Sequence, residues 1–187
     1  MMMNRTVGNA QVTSQVQTGS EAGDEDGLLD QQAQYLTVRL GEESYALGLL
    51  SVKEIIEYSG VTQVPMMPPY VRGVINLRGR VVPVVDLMRR LHGQPVELNR
   101  RSCIVIVEVG LSDDRQDMGV IVDAVSQVVE IPPSTVEPGP SFGARLRADF
   151  IAGMGRREGG FVIMLDIERV LNAEDIAVLG ELAAASV

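Results

Sequence analysis

Residues 70–91, YVRGVINLRGRVVPVVDLMRRL, and residues 150–171, FIAGMGRREGGFVIMLDIERVL, align without a gap at an offset of 80. Six of the 22 positions are identical: Gly73/Gly153, Gly79/Gly159, Val82/Val162, Asp86/Asp166, Arg89/Arg169 and Leu91/Leu171. Seven more keep apolar or aromatic character, among them Tyr70/Phe150, Val81/Phe161, Val85/Leu165 and Leu87/Ile167. A second register, at an offset of 73, sets Leu47, Leu49, Val52, Ile55 and Ile56 against Val120, Val122, Val125, Val128 and Val129. Both registers come in the same order in each half. Valine-rich strands match one another by chance, but chance is a poor account of glycine, aspartate and arginine falling in step. A unit recurring at fixed spacing marks a duplicated architecture. The expected fold is therefore mainly β, with two similar lobes of about 70 residues meeting at a cleft.

Local patterning agrees. Leu36, Val38 and Leu40 alternate with Thr37 and Arg39, and Tyr45, Leu47 and Leu49 resume the alternation, the period-2 pattern of half-buried strands. Ser51 lies three residues before Glu54, the spacing of a capping box, which predicts a short helix over 51–58. Residues 61–64 read as another short strand, stopped by Pro65, Pro68 and Pro69. From Asn172, a candidate N-cap, Ile176, Leu179 and Leu182 trace a helical stripe and predict a C-terminal helix. Residues 1–34 carry five acids (Glu21, Asp24, Glu25, Asp26, Asp30) against Arg5, with few large apolar side chains. Such a segment cannot bury enough surface to offset its ordering entropy, so a disordered acidic tail is expected.

Composition narrows the function. The 187 residues are 45% apolar and 22% charged, ordinary globular usage, with a net charge of −9. An acidic chain with three Phe, four Tyr and no Trp lacks the basic, aromatic face that binds nucleic acid. A lone cysteine, Cys103, forms no internal disulfide and fits a reducing compartment. No apolar run approaches the ~18 residues of a membrane span, and residues 1–20 lack a signal-peptide core, so a cytoplasmic protein is expected.

The inventory for catalysis is thin. His92 is the only histidine, before Gly93 at an expected helix end, where a cation meets helix carbonyls. One His and one Cys form no zinc site, and no cofactor is expected. Cys103 opens the apolar run Ile104, Val105, Ile106, Val107 and reads as core. Asp86 and Asp166, one per lobe, could pair as in an aspartic peptidase. Their neighbours, Leu87-Met88 and Ile167-Glu168, lack the small residues such a dyad needs, and a short helical pattern after each makes both N-caps. The glycines of 153–160 precede the apolar run 161–165, a strand rather than a helix, and so form a hairpin turn and not a phosphate loop. What remains is recognition. Arg78, in the turn Asn76-Leu77-Arg78-Gly79 between two apolar runs, is displayed on a rigid scaffold. Its fork suits a partner's carboxylate or carbonyls, or pairs internally with Glu54 or Glu57. The repeat puts Glu158 at the equivalent place, so Arg78 is particular to one lobe.

The stretch Asn76-Leu77-Arg78-Gly79-Arg80-Val81-Val82-Pro83-Val84-Val85-Asp86-Leu87 closely resembles the signature of the chemotaxis coupling proteins, the CheW-like family. So do Val52-Lys53-Glu54-Ile55, Pro68-Pro69-Tyr70-Val71-Arg72-Gly73 and Val120-Ile121-Val122-Asp123. The resemblance runs from about residue 35 to the C-terminus. It implies two SH3-like five-stranded β-barrel subdomains with short helices, divided at roughly 47–98 and 35–46 plus 99–187. It further implies a non-enzymatic cytoplasmic adaptor, at membrane-attached receptor arrays, joining the hairpin tip of a chemoreceptor to the regulatory domain of a histidine kinase. Carried over by position, receptor binding would involve Leu49, Val52, Glu54, Ile55, Arg78, Val120 and Val122; kinase binding would involve Thr62, Val64, Arg72 and Gly73. The capping box competes for Glu54, and core packing competes for Val52, Ile55, Val120 and Val122. A coupling protein of a non-flagellar system and a peptidase using Asp86 and Asp166 are the alternatives.

Overall fold

The computed structural model describes residues 33–110, 113–139 and 148–172. Strands β1 (Gln34–Leu40), β2 (Glu43–Gly48), β3 (Val52–Glu57), β4 (Val71–Leu77) and β5 (Arg80–Asp86) lead into helix α1 (Leu87–His92). Then come β6 (Cys103–Val109), β7 (Gln116–Val122), β8 (Ala124–Glu130), the two-residue β9 (Val136–Glu137), β10 (Ile151–Arg157), β11 (Gly160–Leu165) and α2 (Ile167–Val170). They build two sheets, one ordered β8-β1-β2-β11-β10-β9 and the other β3-β6-β7-β5-β4.

Without β9 the two orders are the same list. In both, three antiparallel pairings surround one parallel pairing, β2 with β11 or β7 with β5. The parallel registers coincide under both offsets at once: Met164↔Ala46 and Leu165↔Leu47 become Val84↔Gly119 and Val85↔Val120. Even the irregularities repeat, with a register shift at Val71/Gly73 in β4 and at Ile151/Gly153 in β10. The duplication is therefore structural, and the chain is a mainly β protein of two lobes.

Each half of the chain serves both lobes. The hairpin β1–β2 joins the first sheet while β3, β4 and β5 form part of the second; β6–β7 complete the second while β8, β10 and β11 return to the first. Residues 103–122 thus share a sheet with β3–β5 rather than with 35–46, and the two-residue β9 adds to the five strands expected of the first lobe.

Burial follows the pleat. Val105, Val107 and Val109 of β6 face a core shared between the lobes, together with Leu36, Val38, Leu40, Tyr45 and Leu47 of the first sheet. Ile104 and Ile106 point the other way, into the second lobe's own core with Val82, Val84 and Ile121. Ile131, Val162 and Met164 fill the first lobe. A fully buried Leu, Ile or Val is worth about 1.5–3 kcal/mol, so the shared core, the largest of the three, holds the lobes together. Arg90 of α1 reinforces it, its guanidinium 4.5 Å from the Tyr70 ring and 5.1 Å from Phe150, the pair that the repeat makes equivalent. Its Nε donates to the Val170 carbonyl at 2.8 Å.

Two local expectations fail. Residues 51–58 are not a helix: a 3-10 turn (Leu49–Ser51) without a side-chain cap leads into strand β3. The β-branched Val52, Ile55 and Ile56 pair with β6 instead. Residues 61–64 form no strand, only a bridge in which Thr62 and Val74 exchange backbone hydrogen bonds of 2.8 Å. The expected acidic tail up to residue 32 and the helix expected beyond Asn172 lie outside the described residues.

Candidate protein-interaction site

The β4–β5 connection is a two-residue hairpin turn with Arg78 at φ 52° and Gly79 at φ 85°. Both angles are left-handed, the geometry that matches strand twist, and Asn76 Oδ1 braces the turn by accepting from Gly79 N–H at 2.8 Å. An arginine is an uncommon choice where Asn or Gly is at ease. Arg78 uses its position to fork onto Glu54: Nη1 donates to Oε1 at 2.9 Å and Nη2 to Oε2 at 2.7 Å. Glu54 therefore pairs with Arg78 instead of capping a helix. Most of the Arg78 side chain stays in solvent, and the hydrogen bonds to Glu54 push its pKa up, so it is a permanent cation.

Beside this pair runs a strip of alternating charge. Lys53 Nζ lies 2.7 Å from Glu108 and 2.8 Å from Asp117; Asp117 also pairs with Arg80, and Glu108 with Arg115 at 3.2 Å. Hydrogen bonds from Lys53 and Arg115 hold the Glu108 carboxyl below its usual range. Lys53, Glu54, Leu77, Arg78, Arg80 and Asp117 line one open hollow.

An apolar rim borders the shared core. Ile55 stands opposite Val105, and Val128 of β8 opposite Leu36, both partners belonging to that core. Residues opposite one another share a sheet face, so Ile55 and Val128 continue the shared core outward. Ile55 remains 42% exposed, Val128 51% and, on the 3-10 turn, Leu50 62%. Leu49, Val52, Val125 and Cys103 pack partly buried beneath. Burial pushes the Cys103 thiol up, away from reactivity.

The structure thus joins Glu54 to Arg78 and sets Leu49, Val52 and Ile55 along the shared core, while Glu54, opposite Ile106, lies on the other face of β3 from Ile55. It removes Val120 and Val122 as contacts: β7 lies between β6 and β5, and both valines are fully buried in the shared core. Of their β8 counterparts, Val125 is partly buried and Val128 is exposed. The offset of 73, which pairs Val52 with Val125 and Ile55 with Val128, already pointed to them.

The second predicted group also assembles. Val64 and Arg72 line one hollow with Gln63, Pro69, Val71 and Arg89. Gly73, at φ 145°, lies so close to the Thr62 carbonyl that a Cβ would sit 2.1 Å from its oxygen. Only glycine lets the 61–64 segment approach β4.

Asp86 and Asp166 are both N-caps. Asp86 accepts from Arg89 N–H at 2.9 Å and from Val96 N–H at 3.0 Å, with Arg72 3.6 Å away; Asp166 accepts from Arg169 N–H at 3.2 Å. Each is tied to its own helix, at the ends of strands in different sheets. His92 ends α1 before left-handed Gly93, as expected, and its Nε2 also lies 2.7 Å from the Tyr45 hydroxyl, which donates to Glu43. Burial and then the bond to Glu43 push the Tyr45 hydroxyl pKa far up, so it stays protonated. Among the described residues no group of three or more His, Cys, Asp or Glu is placed to hold a metal ion, and no helix is long and apolar enough to cross a membrane.

Two β lobes with capped carboxylates, an apolar rim and a displayed arginine define a protein-recognition module. Residues 34–175 match the CheW-like domain, and the chain belongs to that family. It is 31% identical to the chemotaxis protein CheW of Klebsiella aerogenes, across 80% of this chain and 88% of that one. It is 25% identical to protein FrzA of Myxococcus xanthus, across 68% and 77%. The crystal structure of the scaffolding protein TtCheW from Thermoanaerobacter tengcongensis superposes with a TM-score of 0.68 at 29% identity, covering 77% of this chain and 90% of that one.

Proposed function

We propose that this chain is a non-enzymatic cytoplasmic adaptor that couples the hairpin tip of a chemoreceptor to the regulatory domain of a histidine kinase. The observation that carries the reading is the exposed pair Ile55 and Val128, each standing opposite a residue of the shared core, with Glu54, the partner of Arg78, the neighbouring residue of β3. An amphipathic helix laid along such a margin buries its apolar stripe on Leu50, Ile55 and Val128 and meets the charged turn with its polar flank. Few anchors carry most of the energy of such an interface. The hollow beside Thr62, Val64, Arg72 and Gly73 is the kinase contact, on a different strand group from the rim. Relatives named chemotaxis protein CheW and protein FrzA are both similar, and a coupling protein of a non-flagellar system would use the same chemistry. Reconstitution tests the function: adding the protein to receptor and kinase should make autophosphorylation depend on receptor ligand. A kinase rate indifferent to the protein overturns the proposal.

A further inference from the structure

The repeat offers a comparison at the first turn of each short helix. In the first lobe Arg169 folds back on the cap of its own helix, its Nε 3.2 Å from Asp166. Arg89, the matching residue of α1, does not. Its cap Asp86 is fully buried and already accepts from the backbone N–H groups of Arg89 and Val96, at 2.9 and 3.0 Å, with a guanidinium nitrogen of Arg72 3.6 Å away. The Arg89 guanidinium itself forms no ion pair among the described residues.

Arg89 and Arg72, both half-buried, instead line one hollow of about 310 Å³ with Val64, Pro69 and Val71. No carboxylate is among the described residues that line it. The offset of 80 sets Ala152 against Arg72 and the acid Asp149 against Pro69, so the first lobe lacks the second arginine at this place. Each guanidinium presents a planar fork of N–H donors that matches a carboxylate. One approach of 3.6 Å to Asp86 occupies little of the pair's capacity. Two like charges brought to one half-buried hollow repel each other, and an incoming anion relieves that repulsion. The hollow therefore selects for negative charge in a chain whose net charge is −9.

We infer that Arg72 and Arg89 form a carboxylate-binding site, and that its occupant is an acidic side chain of the kinase's regulatory domain. The choice of occupant rests on the kinase contact proposed above; the carboxylate site itself does not. Val64, Pro69 and Val71 thin the water around the pair and so strengthen it. A surface that brings no acid into register meets two cations without a counterion, which makes the site one of specificity and orientation more than of bulk affinity.

The test uses the full chain and its Arg89→Gln variant, which keeps the helix cap because Asp86 accepts from the backbone N–H of residue 89. The first arm needs no kinase: the arginine Nε–H NMR signals of the parent chain are followed as a blocked diglutamate peptide is added. Arg72 and Arg89 should shift together and Arg100, exposed and outside the hollow, should not; added salt should suppress the shift. Signals that stay put overturn the inference, whatever the kinase does, and so do shifts produced by inorganic phosphate but not by the peptide. In the second arm the full-length kinase is titrated at low salt. Arg89→Gln should bind it roughly three- to tenfold more weakly than the parent, with a flatter salt dependence. A peptide shift with unchanged kinase affinity keeps the carboxylate site and overturns the kinase as its occupant. A kinase that fails to bind the parent chain counts against the proposed function, while the peptide arm still decides the site.

Discussion

The two lobes share a topology and differ in what they hang on it. At the β4–β5 turn stands Arg78, forked onto Glu54; the equivalent β10–β11 turn presents Glu158 before Gly159 and Gly160. Asp86 is fully buried with three donors around it, whereas Asp166 is half-buried and caps only its own helix. A Cβ at Gly73 would meet backbone at 2.1 Å; one at Gly153 would meet a side chain first, Val136 Cγ1 at 2.5 Å, and backbone only at 3.2 Å, the Glu137 carbonyl. The duplication thus preserved the frame, while one copy took on tighter packing and the displayed cation. A partner that reads Arg78 meets the molecule in one orientation only, although the two lobes are nearly interchangeable.

That asymmetry can be broken most severely at the glycines. Gly73→Ala should cost about 4 kcal/mol or more, since neither the carbonyl of Thr62 nor the left-handed backbone can give way. Gly153→Ala should cost about 1–2 kcal/mol, because Val136 can turn aside. Denaturant unfolding of both variants measures the difference, and equal losses would contradict the assignment of tight packing to the second sheet. Next come the caps: Asp86→Ala should lose about 3 kcal/mol and Asp166→Ala about 1 kcal/mol by the same measurement.

The frame was largely legible in the sequence because the repeated residues act locally. Gly73 and Gly153 serve strand irregularities, and Asp86 and Asp166 cap the helix that follows, so their signals survive without tertiary context. The exchange of strands between lobes was not legible. Alternation in β6 says that Val105 and Ile104 face opposite ways, not which sheet completes either side. Ser51 and Glu54 imitated a capping box because Glu54 is needed 24 residues away, by Arg78. Val120 and Val122 look on paper like Val125 and Val128; only the position of β7 inside a sheet and β8 at an edge separates them.

Smaller effects sharpen the contrast between frame and site. Arg78→Asn should leave the protein at least as stable, since Asn suits the left-handed turn, while receptor binding weakens roughly 30-fold, the scale of an interface hot spot. Thermal melts and titration measure the two. Loss of stability with binding intact would make Arg78 a structural residue. Cys103 gives the mildest readout. Burial raises its pKa, so alkylation should climb with pH through a midpoint above the ordinary cysteine range and slow further when the receptor fragment is bound.

The rim itself is tested most directly by titrating a receptor hairpin-tip fragment against Val128→Asp, with Phe161→Asp as the control, a side chain equally exposed but away from the rim. A partner helix seated on the margin of the shared core predicts at least a tenfold loss for Val128→Asp and parent-like affinity for Phe161→Asp. Undiminished binding by a folded Val128→Asp protein would contradict it.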